Sequence, residues 1–138
     1  GKIRGAKVAD LMSRQVVTAK PETPIMEIEK KMIEKRFRRL PIVSDNKFVG
    51  MATVRSILRF FGTSQVFKHL QSGTILQVLR TPVIEVTMKD VATINPEADI
   101  GQAAKTMQEK HVGSLPVIAN GKLVGIITER DFFKIIAG

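Results

Sequence analysis

Two short segments of this chain carry side chains able to hold a sugar and a phosphate. Residues 125–131, GIITERD, end in a T-x-x-D pattern, and residues 50–56, GMATVRS, lie 75 positions earlier. The earlier segment keeps the glycine, the threonine and the arginine but has Ser56 where the later one has Asp131. Thr128 at the start of a helix offers a hydroxyl, and the free N–H groups of a first helical turn favour an anion such as phosphate. Asp131, one turn in, has two carboxylate oxygens that can accept from the two hydroxyls of a ribose. Arg130 lies between them in sequence and could reach phosphate. The same T-x-x-D pattern also suits a helix cap, with the acidic residue favoured by the helix dipole. Both roles can coexist on the same side chains. A lone serine hydroxyl cannot do what a carboxylate does, so one helix start is expected to bind well and the other weakly or not at all.

The elements that must position these residues occur twice. Val16 to Phe61 aligns with Val91 to Ile136 at an offset of 75 without a gap, with identities that include Thr18/Thr93, Leu40-Pro41/Leu115-Pro116, Val49-Gly50/Val124-Gly125 and Arg55/Arg130. Upstream, VADLM (8–12) matches IEVTM (84–88) at an offset of 76, which implies one missing residue between Met88 and Val91. Two copies are too few for a solenoid and point to a pseudo-symmetric pair. In each copy a short strand (VVTA, VATI) precedes a helix. In the first helix Ile25, Ile28 and Met32 recur at helical spacing after Thr23-Pro24, with Thr23 as N-cap. In the second, Ile100, Ala103, Ala104 and Met107 follow Asp99, with Gln102 completing a possible capping box. A hairpin follows, closed by Asp45-Asn46 in one copy and by Asn120-Gly121 in the other, the latter suited to a type I′ turn. A last helix, VRSILRFF or ERDFFKII, completes a β-α-β-β-α unit. Between the copies, SQVFKHLQ reads as a short helix, Ser72-Gly73 as a break, and the apolar content of residues 62–83 as a packed linker.

Composition limits the chemistry. The 138 residues supply a real core, and the absence of cysteine excludes disulfides and thiolate metal sites. His69 and His111 lie too far apart for a local metal motif, and no P-loop or nucleophile-histidine set is present, so catalysis is not expected and neither a catalytic residue nor a catalytic cofactor is assigned. No apolar run approaches the ~18 residues that span a membrane, and an intracellular, cytoplasmic setting is expected. The net charge is +9. Lys30, Lys31, Lys35, Arg36, Arg38 and Arg39 crowd one ten-residue stretch against Glu34. This cluster is either a solvated helix face or a site for phosphate or nucleic acid. With aromatic residues at 5% and neither Tyr nor Trp, stacking platforms are scarce and nucleic acid is the weaker reading.

Taken together, the "h-P-V" strand start, the "hVGhhT" hairpin strand and the T-x-x-D helix entry, each in order and twice, resemble a tandem pair of cystathionine β-synthase (CBS) domains over roughly residues 8–136. The resemblance implies an α/β (α+β) fold: a first unit at 8–61, a linker at 62–83 and a second unit at 84–136, packed through their sheets into one module. It implies an adenosyl ligand, AMP, ADP, ATP or S-adenosylmethionine, in clefts between the units, and a regulatory role toward a partner protein or a parent-chain domain. Carried over residue by residue, the stronger site would use Met12, Val17, Thr18, Phe37, Arg38, Arg39, Thr128, Arg130 and Asp131. The weaker would use Thr53, Arg55, Ser56, Thr93, Val112 and Ser114, with Gly113 in its wall. Modules of this family commonly pair, so a homodimer is expected. An alternative is a ligand-independent dimerisation scaffold built on Ile57, Phe60, Phe61, Phe132, Ile135 and Ile136.

Overall fold

The computed structural model describes the backbone of residues 6–137 and their side chains other than those of residues 64, 67, 69, 70, 136 and 137. The side chains of His69 and Ile136 therefore lie outside the described residues. The element order is α1 (Val8–Leu11), α2 (Ile25–Lys35), β1 (Arg39–Ser44), β2 (Lys47–Thr53), α3 (Val54–Phe61), α4 (Ser64–Gln71), α5 (Ile75–Leu79), a 3₁₀ turn (Val83–Val86), α6 (Ile100–Lys110), β3 (Ser114–Ala119), β4 (Lys122–Thr128) and α7 (Glu129–Ala137). This is a mixed α+β chain. Among the described residues no helix is long and apolar enough to cross a membrane.

The long helices form where their apolar spacing requires. α2 buries Ile25, Ile28 and Met32, and α6 buries Ile100, Ala103 and Met107. Fully burying an isoleucine or methionine side chain contributes about 1.5–3 kcal/mol, and the small Ala103 less. The Asp99 carboxylate caps α6 by accepting from the Gly101 N–H at 2.6 Å. At α2 the cap position falls on Pro24, with no side-chain bond, so Thr23 does not serve as the N-cap. Both hairpins turn through paired positive φ angles, 50° and 67° at Asp45-Asn46 and 53° and 78° at Asn120-Gly121. These are the angles of a type I′ turn, whose twist matches that of the flanking strands.

The expected leading strands shrink to single parallel bridges. Ala19 pairs with Ile42 and Ile94 with Val117. In the first case the Ala19 N–H donates to the Pro41 carbonyl at 3.1 Å and the Val43 N–H to the Ala19 carbonyl at 2.9 Å. The neighbouring residues of VVTA and VATI run beside the sheet without continuing the ladder.

The chain divides into two compact units, and the division does not follow the repeat. A central unit holds residues 17–45 and 49–91; a terminal unit holds residues 6–16, 46–48 and 92–137 among those described. Each has its own core. In the central unit Ile25, Ile28, Leu40 and Ile42 pack with Val83 and Val86, from the start of the second repeat. In the terminal unit Leu115, Val117, Ile127 and Met107 pack with Val8 and Met12, from the start of the first. The leading segment of one repeat thus completes the core built by the other.

Matching bonds hold the two leading segments. The Val8 N–H donates to the Ala98 carbonyl at 2.8 Å, and the Val83 N–H to the Thr23 carbonyl at 2.7 Å. The Ala9 N–H reaches Pro96 at 2.9 Å, and the Ile84 N–H reaches Pro21 at 3.0 Å. Val8 and Val83, like Thr23 and Ala98, are 75 positions apart, so the offset holds through the leading segments and no residue is missing. The structural counterpart of Met12 is Thr87, and that of Met88 is Ser13. The apparent shift to 76 came from matching one methionine to another.

The last helices also differ from expectation. Ile57 is buried in the central core, Phe60 and Phe61 pack against it, and Phe132 packs against the terminal core. The outward apolar residues are instead the equivalent pair Leu58 and Phe133, 64% and 66% exposed.

Both long helices end on a non-glycine residue in the left-handed region, Arg36 at φ 59° and His111 at φ 55°. A Cβ there costs about 1–2 kcal/mol relative to glycine, partly offset by the greater freedom of glycine in the unfolded chain. Arg36→Gly and His111→Gly are each expected to raise stability by about 0.5 kcal/mol, read as a higher urea midpoint with an unchanged slope.

Candidate functional site

In the terminal unit the β4 strand runs directly into α7, and the junction is stitched by Asp131. The Thr128 N–H donates to Asp131 Oδ2 at 2.8 Å, and the Thr128 hydroxyl donates to the same oxygen at 3.2 Å. The other oxygen, Oδ1, meets the Lys134 ammonium at 3.3 Å. Asp131 is 3% exposed, whereas the Lys134 side chain is 71% exposed. An ion pair to so exposed a lysine is worth at most about 1 kcal/mol. Oδ2 is therefore fixed by the fold, and Oδ1 is the oxygen that can change partners.

The rest of this helix start is set by the preceding hairpin. The Glu129 N–H donates to the Gly113 carbonyl at 3.0 Å, and Ser114 pairs with Thr128 across the β3–β4 ladder. Val112 and Gly113 thus lie beside the first turn of α7, with Ser114 buried beneath. Arg130 is exposed; Thr93, also exposed, immediately precedes the Ile94 bridge to Val117. Met12 is buried against β4.

The central unit repeats the frame with different chemistry. The Ser56 N–H donates to Thr53 Oγ1 at 2.9 Å, and the Thr53 N–H donates to Ser56 Oγ at 2.9 Å. The Ser56 hydroxyl in turn donates to the Thr53 carbonyl at 3.0 Å. The serine is spent on the cap, which carboxylate and hydroxyl satisfy equally; only the carboxylate keeps a second oxygen for anything else. The Val54 N–H donates to the Arg38 carbonyl at 3.0 Å, so Phe37, Arg38 and Arg39 border α3 as Val112, Gly113 and Ser114 border α7. Phe37 is half-buried against the central core; Arg38 and Arg55 are exposed and Arg39 is half-buried. Val17 and Thr18 are half-buried ahead of the Ala19 bridge, and the Thr18 carbonyl accepts from Lys31 Nζ at 3.3 Å.

The residues expected for the stronger site divide between the two units. Met12, Thr128, Arg130 and Asp131 belong to the terminal unit; Val17, Thr18, Phe37, Arg38 and Arg39 belong to the central one. Those expected for the weaker site divide likewise, with Thr93, Val112 and Ser114 in the terminal unit and Thr53, Arg55 and Ser56 in the central. Among the described residues no group of three His, Asp or Glu side chains is placed to hold a metal ion.

Sequence reasoning missed the residues that hold the leading segments against the site strands. Ser13 and Ile126 exchange both backbone bonds, each at 2.9 Å, and Met88 and Met51 do the same at 2.8 and 2.9 Å. This close approach explains the glycine in each hVGhhT strand. A Cβ on Gly125 would stand 2.7 Å from Met12 Sδ and 2.8 Å from the Ser13 carbonyl oxygen. On Gly50 it would stand 2.8 Å from Thr87 Cγ2 and closer still to the Met88 carbonyl. Extending the offset of 75 upstream would have shown that Ser13 and Met88 are equivalent, though not which strand each one meets. Gly50→Ala and Gly125→Ala are expected to cost about 1–3 kcal/mol each through overpacking, measurable as a lower thermal midpoint.

The likeness of the chain to known proteins agrees with this frame. Residues 8–63 and 83–138 each match the CBS domain family. The chain is 30% identical over 131 residues to protein MJ1225 of Methanocaldococcus jannaschii, covering 94% of this chain and 47% of that protein. The structure of MJ1225 superposes with a TM-score of 0.90 at 28% identity, over 96% of this chain and 48% of that one. A protein called CBSX2, solved in complex with AMP, superposes with a TM-score of 0.79 at 23% identity, covering 96% and 97% of the two chains. The CBS domain pair of protein MJ0100, solved with 5′-methylthioadenosine and S-adenosyl-L-methionine, gives 0.71 at 24%, covering 96% and 97%. The last two likenesses speak to the fold alone. The present chain spans less than half the length of MJ1225.

Proposed function

The chain belongs to the CBS domain family, matched in both of its repeats, and on that premise we propose that it is a regulatory module binding an adenosyl ligand. AMP, ADP or ATP is favoured, with S-adenosylmethionine as the other candidate. The observation that carries the reading is the Asp131 carboxylate, 3% exposed, with one oxygen locked by Thr128 and the other held only by the salt bridge of an exposed lysine. A ribose diol approaching Oδ1 would replace a weak ion pair with hydrogen bonds to a charged acceptor, each worth about 1.5–3 kcal/mol. The N-terminal turn of α7 and the exposed Arg130 suit a phosphate, and the net charge of +9 favours an anion over a sulfonium ligand. The AMP complex of CBSX2 and the adenosyl complexes of MJ0100 lend support by fold likeness.

The role is regulatory and not catalytic. Binding shifts the population of two arrangements of the module in proportion to the ligand's differential affinity for them. The regulated activity resides in a partner protein or in a further domain of a longer chain. Association of modules into a homodimer is a compatible second reading, favoured by the equivalent outward residues Leu58 and Phe133.

Titration calorimetry of AMP into the chain and into its Asp131→Ser variant tests the proposal. Serine at this position already closes the cap in the central unit, so the variant is expected to lose at most about 0.5 kcal/mol of stability. Its AMP affinity should fall at least about tenfold, or 1.4 kcal/mol. Equal affinity for AMP in both proteins removes Asp131 from the site. No heat with AMP, ATP or S-adenosylmethionine overturns the adenosyl reading.

A further inference from the structure

The surroundings of the two helix starts differ at a further position besides Ser56 and Asp131, hidden by the misleading match of Met12 to Met88. In the central unit the residue bridged to β2 is Met88, whose backbone exchanges both hydrogen bonds with Met51. Its side chain reaches Thr53, and the Thr53 hydroxyl points to Met88 Sδ at 4.0 Å. That hydroxyl also accepts from the Ser56 N–H at 2.9 Å. Its donor faces sulfur and its acceptor serves the cap. In the terminal unit the equivalent residue is Ser13, which makes the same backbone exchange with Ile126 but carries a side chain two heavy atoms shorter. The Thr128 hydroxyl donates to Asp131 Oδ2.

We propose that Met88 is a specificity-determining residue that withholds the start of α3 from an adenosyl ligand, acting through Thr53 and independently of the missing carboxylate. This rests on the reading of the T-x-x-D start as the ribose and phosphate contact. Met88 is 37% exposed, so its thioether lies at the surface over Thr53 and not in the core. A sulfur is a weak acceptor but a bulky, apolar cover. A ligand oxygen seeking the Thr53 hydroxyl must displace it and desolvate against it. The pair Met88 and Ser56 makes the central unit silent twice over, whereas the pair Ser13 and Asp131 leaves the terminal unit free of both obstacles.

The test is made in an Asp131→Ala background, so that only the central unit is read. AMP is titrated into Asp131→Ala alone, with Ser56→Asp added, and with both Ser56→Asp and Met88→Ser added. The expected result is that Ser56→Asp alone leaves binding undetected or at least tenfold weaker than the triple variant, which binds AMP near one per chain. Met88→Ala replaces the serine should that variant fail to fold, checked by circular dichroism. Equal AMP affinity with and without the Met88 substitution overturns the proposal, as does silence of the triple variant. The broader adenosyl reading is judged separately, by whether the unaltered chain binds AMP and Asp131→Ala loses it. A chain silent from the outset beside a triple variant that binds would sink that reading and leave the role of Met88 standing.

Discussion

The fold depends on a backbone-to-backbone approach made twice. Each repeat sends its leading segment, Val8 to Ser13 or Val83 to Met88, against the last strand of the other repeat, and both crossings occur at a glycine. A side chain at Gly50 or Gly125 would occupy the space that the incoming segment needs. Because Val8 and Val83 are fully buried in the cores they join, neither unit has a complete interior without a segment borrowed from the other half of the chain. Cooperativity between the repeats is thus written into the connectivity, before any ligand is considered.

The same strands deliver the site residues. β2 ends at Thr53 and β4 at Thr128, so each threonine stands where a strand becomes a helix and four backbone N–H groups need partners. The cap is present in both copies while its chemistry differs. A serine hydroxyl closes the cap and is consumed by it. An aspartate closes the cap with one oxygen and keeps the other available, at the expense of burying a charge that only hydrogen bonds and a nearby cation make tolerable. Capping and ligand binding are therefore not rival explanations of Asp131. The first holds the carboxylate in the place that the proposed ribose contact would use.

Local structure followed from local signals. The helical spacing of Ile25, Ile28 and Met32 and of Ile100, Ala103 and Met107 gave two buried helix faces. The turn residues Asp45-Asn46 and Asn120-Gly121 gave two hairpins, and the duplicated T-x-x-D/S pattern marked both helix starts. The resemblance to the CBS family rested on those same features in order, and the family match covers both repeats. These properties are legible because each depends on residues within about one helical turn or one hairpin of each other.

What escaped the sequence is long-range. VVTA and VATI have strand composition, yet each makes only one bridge, since strand length is set by the neighbour available and not by propensity. Arg36 and His111 occupy left-handed caps that their side chains do not favour, a strain that surrounding structure imposes. Ile57, Phe60 and Phe132 turned inward because the cores lie on that side of their helices. The exchange of leading segments, and with it the pairing of Ser13 with Ile126 and Met88 with Met51, joins residues separated by 113 and 37 positions. One-dimensional matching aligned Met12 with Met88 because it compares residue types. The tertiary structure compares hydrogen bonds and buried volume, and by that measure Met88 stands opposite Ser13. The sequence by itself determined which segments become helices and hairpins and which of the two helix starts carries a carboxylate; only the tertiary structure decided which backbone crosses which glycine, because that choice is made by packing between distant parts of the chain.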